Sequence, residues 1–146
     1  MLGINVAVAV FFANIVCGVD ETVKNSTTDE VVLAKRYQME CIEETRVDPD
    51  LITGIKGGSW SIPWNSRPLV RKWALCVMMK RGLMTKEGVY KLDVALKMVP
   101  REDRDAAEKV IDQCLTPKAI PAEDIAFEFI QCFKKSKANY SVSIFI

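Results

Sequence analysis

Five cysteines in a chain with no histidine are the strongest constraint on what these 146 residues can fold into. Cys17 lies just past an uncharged apolar run, Ile4 to Val16, which is short for a bilayer span and leads into the small residues Cys17 and Gly18. Residues 1–18 therefore read as a secretory leader cut after Gly18, with a retained anchor or a lipoprotein cysteine as the other readings. Its removal leaves Cys41, Cys76, Cys114 and Cys132 in an oxidising compartment, with 34, 37 and 17 residues between successive members. Each falls on a predicted helix, and four cysteines permit three connectivities. None of these gaps is the short knuckle of a structural zinc site, and no imidazole is present to complete one. A catalytic cysteine is poorly supported too, because nothing nearby would generate its thiolate.

Charge and composition remove further classes. Twenty Lys and Arg against nineteen Asp and Glu give a net charge of +1, which is neither a nucleic-acid footprint nor the cationic face of a membrane-active helix. Without histidine the chain lacks the commonest general base and metal ligand. The glycines from Gly54 to Gly58 do not make a phosphate-cradling loop. The expectation is a non-enzyme with no cofactor, no metal, no nucleic-acid partner and no stable membrane insertion. Residues 19–146 fit one domain by length.

The mature chain reads as about six helices punctuated by Gly and Pro. Thr27-Thr28-Asp29-Glu30 matches a capping box, followed by Leu33, Ala34, Tyr37 and Cys41 on one stripe, so a first helix is expected from there to about Arg46. Asp48-Pro49-Asp50 opens a short helix that Gly54, Gly57 and Gly58 end. A loop carries Trp60 and Trp64, expected to fold back as a local cluster. Ser66 and Pro68 open a helix that stops at Gly82. Val89 to Val99 has too wide an apolar arc for a surface helix and should be covered on two sides. Arg101 to Leu115 and Ala122 to Lys135 are amphipathic helices. An alternating apolar tail, residues 136–146, follows. Asn25 and Asn139 are glycosylation sequons.

The cysteine spacing resembles that of the insect odorant-binding proteins. Their six-cysteine pattern fits if the second and fifth cysteines are absent: Lys72 stands with three residues between it and Cys76, and Glu123 with eight between it and Cys132. The stretch Cys76-Val-Met-Met-Lys-Arg-Gly-Leu-Met-Thr-Lys-Glu-Gly88 also looks like the family's segment after its third cysteine. The pattern is most similar to the four-cysteine "minus-C" subgroup, and it covers the whole mature chain. The resemblance implies an all-α bundle around an apolar cavity, disulfides Cys41–Cys76 and Cys114–Cys132, and secretion into sensillum lymph or haemolymph. Lys72 and Glu123, in place of the lost bridge, are expected to face each other as a partly exposed ion pair, the other reading being two unrelated solvated side chains.

The same resemblance implies a secreted carrier of small hydrophobic ligands such as odorants, pheromone-like volatiles or fatty-acid-like lipids. Such a carrier would be a monomer or weak homodimer that meets an odorant receptor only indirectly. Candidate wall residues are the apolar side chains left after helix packing: Trp73, Val77, Leu83, Met84, Tyr90, Val94, Met98, Ile111, Leu115, Phe127 and Ile130. Periodicity does not separate a cavity wall from a filled core. Tyr37, Tyr90 and Tyr140 could orient a polar group of the ligand. Moth pheromone carriers of the family release ligand at acid pH through histidines, which this chain does not have. The tail could cover or enter the cavity, or lie on the surface or in a dimer contact. The alternative function is a secreted helical signalling protein that acts through a protein receptor.

Overall fold

The computed structural model describes residues 18–115 and 119–136. Among them are six helices: α1 Gly18–Thr45, α2 Pro49–Lys56, α3 Arg67–Lys80, α4 Leu92–Lys97, α5 Arg104–Cys114 and α6 Ala122–Lys135. One 3-10 turn, Arg101–Asp103, precedes α5. The fold is all-α, with two disulfides. The tail beyond Ser136, with Tyr140 and Asn139, and residues 1–17 with Cys17, lie outside the described residues, and so do any consequences drawn from them.

Helix α3 is the hub. It packs most extensively on α6 and next on α1, and Val70, Trp73, Ala74, Val77 and Met78 are buried along it. On the α1 side the Cys41–Cys76 disulfide fixes the contact with Cα atoms 5.8 Å apart. Beside it Lys80 Nζ reaches Glu40 at 3.0 Å and Glu44 at 2.7 Å, one turn apart on α1. The hydrogen bonds that Lys80 donates to Glu44 and Glu40 raise its pKa. Cys114–Cys132 ties α5 to α6 in the same way, with Cα atoms 5.5 Å apart.

The short helix α2 starts as its sequence dictates. The Asp48 side chain accepts a hydrogen bond from the Asp50 N–H at 2.9 Å, and Pro49 takes the first helical position. Its C-terminal carbonyls are held from outside: Lys134 Nζ on α6 donates to Lys56 O at 2.7 Å and Ile55 O at 3.4 Å. Desolvation, with Lys56 nearby, lowers the Lys134 pKa. Gln38, the one buried polar side chain among the described residues, accepts from Lys56 Nζ at 2.8 Å.

Four local expectations are corrected. Helix α1 begins by Gly18, not at the capping box, because no glycine or proline interrupts residues 19–27 and the backbone stays helical through them. Helix α4 begins at Leu92, not Val89. Residues 83–91 instead fold into a tight turn in which Thr85 N donates to Val89 O and Lys91 N to Leu83 O, with Met84 and Tyr90 in an antiparallel bridge. Gly82 and Gly88, at φ +71° and +90°, make that turn possible. The tryptophans do not cluster, since Trp60 packs edge-on against Phe127 at 5.9 Å while Trp64 is 82% exposed. Lys72 and Glu123 form no ion pair among the described residues. The pair that joins α3 to α6 is one residue further in, Arg71 Nε to Asp124 Oδ1 at 2.9 Å.

Candidate functional site

Five separate stretches of chain converge on one apolar interior. Helix α3 supplies Trp73 and Val77, the 83–91 turn supplies Leu83, Met84 and Tyr90, and α4 with the residue after it supplies Val94 and Met98. Helix α5 and the residue after it supply Ile111 and Leu115, and α6 supplies Phe127 and Ile130. All eleven of these sequence-derived candidates belong to a single cluster. Trp73, Val77, Leu83, Met84, Ile111 and Ile130 are buried in it, and the other five pack against it partly buried. Tyr140, the twelfth, lies outside the described residues.

Two of the eleven stand at the margin. Phe127 borders an open cleft of about 240 Å³ with Trp60, Ile62 and Arg71. Met98 borders a smaller one, about 130 Å³, with Glu30, Leu33, Tyr37, Lys80 and Arg81. In that cleft Arg81 lies 3.8 Å from the Met98 sulfur. Desolvation lowers the Arg81 pKa against the opposing pull of Glu30 and Tyr37.

The interior has an aromatic spine, Tyr90–Phe129–Phe133, of which the candidate set held only Tyr90. Phe129 on α6 lies 4.6 Å from the Tyr90 ring and 5.8 Å from that of Phe133. Its position on the apolar face of α6 was readable from periodicity. Its contact with Tyr90 was not, because it depends on the 83–91 turn. Among the described residues, two polar atoms in the cluster are buried and have no hydrogen-bond partner: Tyr90 Oη and Trp73 Nε1. Burial pushes the Tyr90 phenol well above its usual value of 10.0. Among the described residues no group of His, Cys, Asp and Glu could hold a metal ion, and no helix is long and apolar enough to cross a membrane.

The architecture is an all-helical domain braced by two long-range disulfides around an apolar interior. The model of the PBP/GOBP family matches residues 24–136, and the chain belongs to this family, the insect odorant-binding proteins. The B1 protein of Tenebrio molitor is 25% identical over 122 residues, covering 82% of this chain and 90% of that relative. The B2 protein of the same beetle is 23% identical over the same length, covering 82% and 91%. Among solved structures, a Locusta migratoria odorant-binding protein superposes with TM-score 0.59 at 21% identity, over 73% of this chain and 80% of that one. A fatty acid binding protein from the oral disk of the blowfly Phormia regina gives 0.56 at 20% identity, over 84% and 96%. Both structural likenesses speak for the fold.

Proposed function

We propose that the protein is an extracellular carrier that holds a small hydrophobic molecule, an odorant-like volatile or a fatty-acid-like lipid, in the interior framed by α3, the 83–91 turn, α4, α5 and α6. The observation that carries this reading is that all of the described candidates fall in one apolar cluster built from five stretches of chain. Side chains brought together from so many elements can part slightly without any element unfolding. Met84 and Met98 adapt to ligands of different shape. Each methylene taken from water contributes about 0.8 kcal/mol, so a ligand of about ten carbons reaches roughly micromolar affinity after its ordering costs.

The leader reading, with residues 1–18 removed and 19–146 exported, and the placement among four-cysteine members of the family, belong to the same proposal. The Phormia protein's description as a fatty acid binding protein supports the ligand class. The test is titration of the mature protein with N-phenyl-1-naphthylamine, followed by displacement with a panel of ten-carbon volatiles and fatty acids. Saturable probe fluorescence, reversed by panel members at micromolar concentration, is the expected result. A protein that is folded and disulfide-linked yet binds no probe would overturn the reading.

A further inference from the structure

Buried polar atoms in native proteins are paired, and those that are not call for a reason. Trp73 is only 1% exposed, and its indole nitrogen has no hydrogen-bond partner among the described residues. Tyr90 is only partly buried as a residue, but its hydroxyl oxygen is as closed to solvent as the indole nitrogen and equally unpaired. Both residues belong to the same apolar cluster. A phenylalanine at position 90 would fill nearly the same space without the cost of stripping water from a donor. The two elements that carry them, α3 and the 83–91 turn, both frame the interior assigned above to the ligand.

We propose that the Trp73 indole N–H and the Tyr90 hydroxyl are donors held ready for a ligand oxygen, so that the preferred cargo is a neutral apolar molecule bearing an acceptor, such as an ester, aldehyde or ketone. This rests on the carrier reading and narrows it. Indole N–H can only donate, and a phenol donates most readily to a carbonyl. A hydrocarbon would leave both atoms unsatisfied. A carboxylate would bring a charge into an interior where, among the described residues, no lysine or arginine is buried to meet it. The raised Tyr90 pKa agrees, since it reflects surroundings that disfavour a negative charge.

The experiment displaces N-phenyl-1-naphthylamine at pH 7 with decyl acetate, decanoate and dodecane, using the wild-type mature protein, the variants Tyr90→Phe and Trp73→Phe, and Trp64→Phe as the control at an exposed aromatic. Decyl acetate is expected to bind about 3- to 10-fold more tightly than dodecane, and more tightly than decanoate. Tyr90→Phe and Trp73→Phe each reduce the ester's advantage over dodecane, while Trp64→Phe retains it. Trp73→Phe identifies the Trp73 indole N–H resonance by its loss, and in the wild type that resonance moves downfield with decyl acetate but not with dodecane. Should the Trp73 variant fold poorly, Trp60→Phe and Trp64→Phe, at the two other tryptophans, identify the same resonance by elimination. Equal binding of ester and dodecane, an ester preference that survives both variants, or tighter binding of decanoate would each overturn the inference. So would an indole resonance indifferent to the ester, the result expected if an internal water serves both donors in every state. Failure to bind the probe at all would instead strike the carrier reading.

Discussion

A methyl group added at Gly88 would meet Ile125 Cδ1 at 2.9 Å and Ala122 at 3.1 and 3.2 Å, on a backbone at φ +90°. Gly58 has nearly the same φ, +91°, with nothing within 4 Å of its would-be Cβ. The comparison separates backbone strain from packing. Gly58→Ala should cost about 1 kcal/mol or a little more from strain alone. Gly88→Ala should cost roughly 1 to 3 kcal/mol more, because the 83–91 turn must lift off the start of α6. Urea midpoints for the two variants check this, and equal losses would mean that the turn does not seat on α6. Tyr90, two residues on, offers a second prediction from its raised pKa. Past pH about 10 the unfolded chain releases the phenolic proton while the folded chain keeps it. The folded state then binds more protons, and stability falls with rising pH by up to about 1.4 kcal/mol per unit. Below that range Tyr90 contributes no slope. The raised pKa of Lys80 gives a loss in the same direction, so the measurement is the difference between wild type and Tyr90→Phe in urea unfolding at pH 9, 10 and 11. An unchanged alkaline slope in the variant would contradict the burial of the hydroxyl.

Helix boundaries were legible wherever one residue type dictates the backbone. Asp48-Pro49 fixed the start of α2, Gly82 followed α3, and α6 runs over Ala122–Lys135 as its apolar face predicts. The start of α4 was not legible, because Val89 and Tyr90 carry a helix-compatible apolar pattern while the turn that claims them is set by Gly88 and by the Thr85 hydroxyl accepting from Val89 N at 3.0 Å. Hydrophobic periodicity reports which side chains face inward and is blind to such a turn. The same limit applies to the interior. Its membership could be read from sequence, but the Tyr90–Phe129 contact and the two unpaired polar atoms follow from tertiary placement. Between α3 and α6 the one-residue offset from the expected pair has an energetic corollary. Arg71 and Asp124 are 41% and 25% exposed at their side chains, so solvent screens them and the bond to be expected is weak. A double-mutant cycle with Arg71→Ala and Asp124→Ala should return a coupling of about 0.2 to 1 kcal/mol. A value several-fold larger would show that the pair is far better desolvated than its exposure indicates.

At the scale of the whole molecule the two disulfides make two braced pairs, α1 with α3 and α5 with α6. The seam between the pairs is the α3–α6 contact, the most extensive in the fold, and it is held by apolar packing with the Arg71–Asp124 pair at its edge. Covalent links resist separation within each pair and leave the pairs free to part from each other. Opening of the domain, and with it passage of a ligand, should therefore concentrate at this seam. Joining the helices there tests the idea. With Lys72→Cys and Glu123→Cys oxidised together, the new bridge closes a loop of about fifty residues, for which chain entropy alone gives up to about 4 kcal/mol of added stability. The crosslinked protein should also exchange bound N-phenyl-1-naphthylamine more slowly than its reduced form, measured by stopped-flow displacement at equal temperature. If the two thiols fail to join in a correctly folded protein, the register that aligns positions 72 and 123 with the missing cysteines is wrong. If they join and stabilise the domain while probe exchange keeps its rate, the register stands and the ligand passes elsewhere than between α3 and α6.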